Sequence, residues 1–227
     1  MSARAVFFDF SGTLFRLEQD ESWFAGVTDS GGAPLDAEAQ AELMRRMTAP
    51  VGPVVGVDAE HQHAWENRDL DPELHRKIYR EFLRRSGVAV ADQVDALYGR
   101  LVDPGSWTPY PDTAEVLRRL HSTGVRIAVI SNIAFDIRPA FERLGVAGLV
   151  DEFVLSYLEG VIKPDPKIFL RAAERLGVEP GDALMIGDHE DVDGAAAAVG
   201  CRVAIVDPAP TSERPDALLT AVAEHGF

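Results

Sequence analysis

Five short apolar runs set the pattern of this chain: residues 5–8, 126–130, 153–155, 183–186 and 202–206. Runs of this length without polar alternation read as strands buried on both faces. Segments of helical period lie between the later ones. The first opens with the capping box Asp112-x-x-Glu115, places Val116, Leu117 and Leu120 on one face and stops near Gly124. A second carries Ile137, Phe141 and Leu144 and ends at Gly145. A third has Asp165 as N-cap and Pro166 at the first helical position, then Phe169, Ala172 and Leu176 before Gly177. This alternation of strand and helix from Arg126 onward predicts βαβ units and a parallel sheet, an α/β architecture.

Residues from about 17 to 107 break that rhythm and show no convincing strand. Ala39, Leu43 and Met47 mark one helical face. Leu74, Ile78 and Phe82, opened by Asp71-Pro72, mark another, and Val94, Leu97, Tyr98 and Leu101 a third. The Gly/Pro-rich pieces 30–34 and 49–56 read as loops. The expected organisation is an α/β core domain made of residues 1–16 and 108–227, with residues 17–107 inserted as a helical domain.

With 37 acidic and 22 basic side chains in 227 residues, the net charge is −15. Nucleic acid and anionic membrane need basic patches, so both are excluded as expected partners. A small anionic substrate is not, because one bound metal ion reverses the sign of a local site. Cys201 is the only cysteine and opens the apolar run 203–206, which reads as a small buried hydrophobe. No internal disulfide can form, which fits a reducing compartment. Residues 1–4 lead into the first strand without a signal-peptide hydrophobic region, and no apolar stretch approaches the ~20 residues of a membrane span. A soluble cytoplasmic protein, monomer or homodimer, is expected.

Four small constellations follow strands. Asp9 to Thr13 follows the first, and Ser131-Asn132 the second. Lys163, in Gly160-Val161-Ile162-Lys163-Pro164-Asp165-Pro166, follows the third by a loop, and Gly187-Asp188-His189-Glu190-Asp191-Val192-Asp193 follows the fourth. The carboxyl ends of parallel strands converge on one crevice. Several carboxylates gathered there repel one another unless a hard cation joins them, and Mg²⁺ is the natural occupant. A metal, a lysine and a hydroxyl suit an oxygen-rich anion such as phosphate, and a neighbouring carboxylate can attack phosphorus.

The four motifs, in this order and over nearly the whole chain, resemble the haloacid dehalogenase-like hydrolase superfamily, whose members are mostly Mg²⁺-dependent phosphatases. The helical insertion sits where that family carries its C1-type cap, and the core would be a Rossmann-like sheet. The resemblance implies that Asp9 is nucleophile and Mg²⁺ ligand and that the Ser11 backbone carbonyl is a second ligand. Thr13 would shape the turn and complete the substrate-binding set with Ser131 and Asn132. Lys163 would neutralise the nucleophile and the developing charge. Asp188 would bind Mg²⁺ directly, and Asp193 would bind through water or orient Lys163, with Asp191 as the alternative for that role.

Ser11 departs from the family pattern, where phosphatases carry a second aspartate as general acid and base. A serine hydroxyl is too weak an acid or base for that task near pH 7, and loss of such assistance costs ~10²–10⁴-fold in rate. The expected activity is therefore a slow phosphatase. A 2-haloacid dehalogenase and a degenerate phosphate-binding protein stand as alternatives. Elsewhere, His61, His63, Trp65 and Arg68 form a polar-aromatic cluster in the insertion. With no nearby cysteine, His61-x-His63 reads as a surface helix or loop rather than a metal site. His189 reads as an exposed loop histidine, and Arg45-Arg46 and Arg84-Arg85 as solvated helix faces.

Overall fold

The computed structural model describes residues 4–18, 23–29, 31–48 and 58–227. The loop expected over residues 49–56 lies outside them, as does Ser30. All five apolar runs are strands: β1 (Ala5–Phe8), then, after the two short strands β2 (Phe15–Leu17) and β3 (Trp107–Pro109), β4 (Arg126–Ser131), β5 (Glu152–Leu155), β6 (Ala183–Gly187) and β7 (Arg202–Ile205). The five form one parallel sheet in the order β5-β4-β1-β6-β7. Every residue of β1 is buried. Val6 and Phe8 feed one hydrophobic cluster and Ala5 and Phe7 the other, so the alternation of a strand serves two cores.

Helices α1 (Ala37–Thr48), α2 (Ala59–Glu66), α3 (Pro72–Arg85) and α4 (Ala91–Val102) occupy the chain between β2 and β3. They are followed by α5 (Thr113–Ser122), α6 (Arg138–Leu144), α7 (Ser156–Glu159), α8 (Pro166–Leu176) and α9 (Ala217–Glu224). The expected stop signals operate at α6 and α8, where Gly145 and Gly177 adopt left-handed φ of 72° and 66°. Asp165 caps α8 as expected, accepting from the Lys167 N–H at 2.9 Å. Ala195–Ala198 fall in a 3-10 helix, Gly194–Val199, with Ala196 fully buried.

Two expectations are corrected. The Asp112 side chain makes no capping bond to α5; its Oδ2 instead accepts from the Leu218 and Leu219 N–H groups at 2.8 and 3.1 Å, at the start of α9. A carboxylate serves whichever helix start the fold brings to it, and α9 lies 106 residues away. Strand structure also exists at the margins of the 17–107 segment. Leu17 pairs with Trp107 and Phe15 with Pro109 in a two-stranded antiparallel ribbon, each strand three residues long and too brief to show a period. The chain thus leaves the sheet and returns to it through adjacent strands. Phe10, Phe15, Trp107 and Phe141 pack there, with ring centroids 5.0–6.0 Å apart.

Candidate active site

The strand order reverses direction at β1: β4 and β5 extend to one side, and β6 and β7 to the other. This reversal opens a crevice at the carboxyl ends of β1, β4 and β6. Asp9, the residue after β1, continues the ladder by donating its N–H to the Ile186 carbonyl at 2.9 Å. Ser131 ends β4, and Asp188 follows β6 directly. Asp9, Ser11, Ser131, Asn132, Lys163, Asp188 and Asp193 all line one cavity of about 330 Å³.

Lys163 is the hub. Its ammonium donates to Asp9 Oδ1 and to Asp193 Oδ1, both at 2.6 Å, and all three side chains are almost wholly withdrawn from solvent. Burial alone would lower the lysine pKa, but attraction to Asp193 and Asp9 outweighs it and holds the ammonium above its ordinary range. Burial raises the Asp9 carboxyl; Lys163 opposes the rise, while Asp193 and Asp188 add repulsion. The Asp188 carboxyl is raised by burial first and by Asp193 second. Asp193 directs both oxygens at protein donors, since its Oδ2 accepts from the Asp188 and His189 N–H groups at 3.1 Å. Asp191 is exposed.

Asp9, Asp188 and Asp193 each offer a carboxylate oxygen within 4.8 Å of the other two. Three all-oxygen donors crowded together, two of them with carboxyl groups forced upward by burial and mutual repulsion, suit a hard divalent cation such as Mg²⁺. Two glycines make the crowding sterically feasible. A Cβ on Gly187 would stand 2.1 Å from Asp193 Cγ, and one on Gly12, whose φ is +79°, 2.4 Å from Asp188 Oδ2.

Of the expected substrate set, Asn132 lines the cavity and Thr13 does not. Asn132 Nδ2 donates to the Lys163 carbonyl at 2.8 Å, and its Oδ1 accepts from the Lys163 N–H at 2.7 Å. Both ends of the amide therefore clamp the lysine backbone, so Asn132 positions Lys163. Thr13 is fully buried and does not line the cavity, which leaves it a part of the turn. His189 corrects the expectation of an exposed histidine: it is half-buried, lines the cavity, and its buried Nδ1 has no hydrogen-bond partner. His61 and His63 lie on α2 and outside the cavity wall, bonded to Asp58 and Asn67. Of that cluster Arg68 alone reaches the wall, stacked on Trp65 with its guanidinium carbon 3.8 Å from the ring centroid.

A family model for haloacid dehalogenase-like hydrolases matches residues 3–200. The chain belongs to this family. A glyceraldehyde 3-phosphate phosphatase of Methanopyrus kandleri is 43% identical over 86 residues, 37% of each chain. One of Methanothermobacter thermautotrophicus is 30% identical over 203 residues, 85% of this chain and 80% of that protein. Three of the relatives are spanned over only 37%, 49% and 59% of their own length. The crystal structure of a dehalogenase superposes with a TM-score of 0.64 over 98% of this chain and 97% of that one, at 20% identity, a likeness of fold.

Several residues in or behind this site carry no local signal. Arg214, only 4% exposed and beyond the matched span, donates to the carbonyls of Gly12 at 2.7 Å, Asp207 at 3.1 Å and Thr13, and its guanidinium lies over Tyr110. It fixes the turn that follows Asp9 from 200 residues away. The helical segment adds Asp69, His75 and Tyr79 to the wall. Burial, with Arg68 nearby, pulls the His75 imidazole down to about 3, and burial pushes the Tyr79 phenol up to about 12. Among the described residues no helix is long and apolar enough to cross a membrane.

Proposed function

We propose that this chain hydrolyses a small phosphate ester with Mg²⁺ through a covalent adduct on Asp9. One observation carries the reading: a buried ammonium held at 2.6 Å from both Asp9 and Asp193, with Asp188 completing a carboxylate cluster at the end of the central strand. Such a cluster is arranged for cation and phosphoryl oxygens rather than for an uncharged carbon centre. The similarity to phosphatases supports the same direction.

In this reading Asp9, Asp188 and the Ser11 carbonyl hold Mg²⁺, which when bound would offset the charge of the carboxylates and of the phosphoryl group. The Ser131 hydroxyl holds a phosphoryl oxygen. Lys163 holds the Asp9 carboxylate in place and faces the charge that develops as Asp9 Oδ closes on phosphorus. Asp193 and Asn132 orient Lys163 by its two ends. Residues 17–107 act as a cap domain over a core of residues 1–16 and 108–227, and their wall selects the leaving group.

The test is phosphate release from a panel of small phosphate esters with and without Mg²⁺. Expected are metal-dependent turnover and a loss on the order of 10³-fold or more in Asp9→Asn. Mg²⁺ affinity by titration calorimetry should fall in Asp188→Ala. Metal-independent chloride release from a 2-haloacid, with no phosphate release, would replace this reading by C–halogen hydrolysis.

A further inference from the structure

We propose that Asp69, carried on the α2–α3 connection, is the proton donor to the departing ester oxygen, in the position of need that Ser11 leaves open. The proposal rests on the phosphate-ester reading above.

Four carboxyl groups line the cavity among the described residues: Asp9, Asp188, Asp193 and Asp69. The first three form the cluster around Lys163, and Asp69 is not a member of it. It enters from the helical side of the same cavity, between α2 and α3, close enough to Lys163 to feel its charge. The other titratable groups of that wall fail on chemistry. The His75 imidazole is held neutral far below its ordinary range, with its Nδ1 3.0 Å from the Tyr98 hydroxyl, and the Tyr79 phenol is held far above it. An efficient donor needs a pKa nearer the working pH than either.

Asp69 is also fixed in place. Its backbone carbonyl is hydrogen-bonded by Ser156 Oγ, which accepts from the Ile133 N–H at 2.8 Å, two residues after Ser131. Its carboxylate lies 3.4 Å from Arg68 Nη2, with 16% of the side chain exposed. Arg68 is itself held by the Trp65 ring and carbonyl. The charged and titratable groups facing Asp69 are thus Arg68 on its own loop, Tyr79 on α3 and Lys163 from the core. Burial outweighs the two cations and raises the Asp69 carboxyl above the ordinary carboxylate range.

Asp9 Oδ forms its bond to phosphorus while the ester P–O bond breaks. The electron pair of that bond goes to the ester oxygen, which takes the Asp69 proton and leaves as the alcohol. The Asp69 carboxylate then accepts a proton from the water whose oxygen attacks phosphorus, which frees Asp9, releases phosphate and restores the acid.

The experiment compares Asp69→Asn with wild type on two esters, glycerol phosphate and 4-nitrophenyl phosphate, whose phenolate leaves without a proton. Turnover of the alkyl ester should fall ~10²–10⁴-fold and that of the nitrophenyl ester less than about tenfold. Ser11→Asp added to Asp69→Asn should restore the alkyl ester. Equal losses on both esters, no loss on either, or the same selective loss in His189→Gln instead, would overturn the assignment to Asp69. Should Asp69→Asn fold poorly, Asp69→Ser is compared on the same two esters, with the same selective loss expected and the same equal or absent losses overturning the assignment. A wild type inert on both esters defeats the phosphate-ester reading itself and this proposal with it.

Discussion

The two walls of the cavity are built in opposite ways. On the core wall, Asp9, Lys163, Asp188 and Asp193 come from three distant stretches of chain, and Lys163 meets two of the three carboxylates directly at 2.6 Å. On the helical wall, Arg68, Asp69, His75 and Tyr79 come from one stretch of twelve positions, and each is held by neighbours: Arg68 by Trp65, His75 by Tyr79 at 4.3 Å between ring centroids. The core wall depends on exact approach of charged groups, so small steric changes there should reach the chemistry. The helical wall depends on burial, so changes there should alter protonation before they alter the carboxylate cluster.

The most damaging test of this contrast is Gly187→Ala. Its Cβ would overlap Asp193, displacing the carboxylate that orients Lys163. Expected are ~1–3 kcal/mol of destabilisation in urea unfolding and a greater loss of turnover than stability alone accounts for. Unchanged turnover would mean that the Lys163–Asp193 contact does not matter. Arg214→Met comes next. It leaves the buried Gly12 and Thr13 carbonyls without their donor, at ~1–3 kcal/mol, and loosens the turn after Asp9. Mg²⁺ affinity should fall with stability; a stability loss with unchanged affinity would make Arg214 a packing residue alone.

A smaller effect is expected from His75. Its folded-state pKa of about 3 lies below the unfolded value of 6.5, so the unfolded chain takes up a proton that the folded protein refuses. Stability is complete above pH 6.5 and falls as pH drops toward 3. His75→Gln should flatten that acid limb in urea titrations by close to one proton. Least of all, His63→Ala, on the exposed side of α2, should stay within about 0.5 kcal/mol of wild type and leave turnover unchanged.

Legibility followed the range of the forces involved. The five sheet strands and the caps of α8 were readable because burial on two faces and helix-end chemistry leave local marks in residue order. The helical segment was readable as helices through Ile78, Phe82, Leu97 and Leu101, but its wall was not. Of the cluster His61, His63, Trp65 and Arg68, the two histidines face away, since the turn after α2 decides which side chains reach the cavity. Asp112 shows the same limit at one residue: its sequence context is that of a capping box, yet the nearest unpaired N–H groups belong to α9.

The sequence by itself determined the parallel sheet, the helical excursion between β1 and β4, and the four strand-end motifs. Apolar periodicity and the convergence of strand ends suffice for that. Only the tertiary structure decided that Asn132 clamps Lys163, that Asp193 rather than Asp191 meets the ammonium, and that Arg214 holds the turn after Asp9. It alone brought Asp69 into the cavity that Ser11 also lines. Each of these is a contact between charged or polar groups 30 or more residues apart, or a choice of which side chain a turn faces inward. Hydrogen-bond geometry over a few ångströms leaves no periodic mark along a chain.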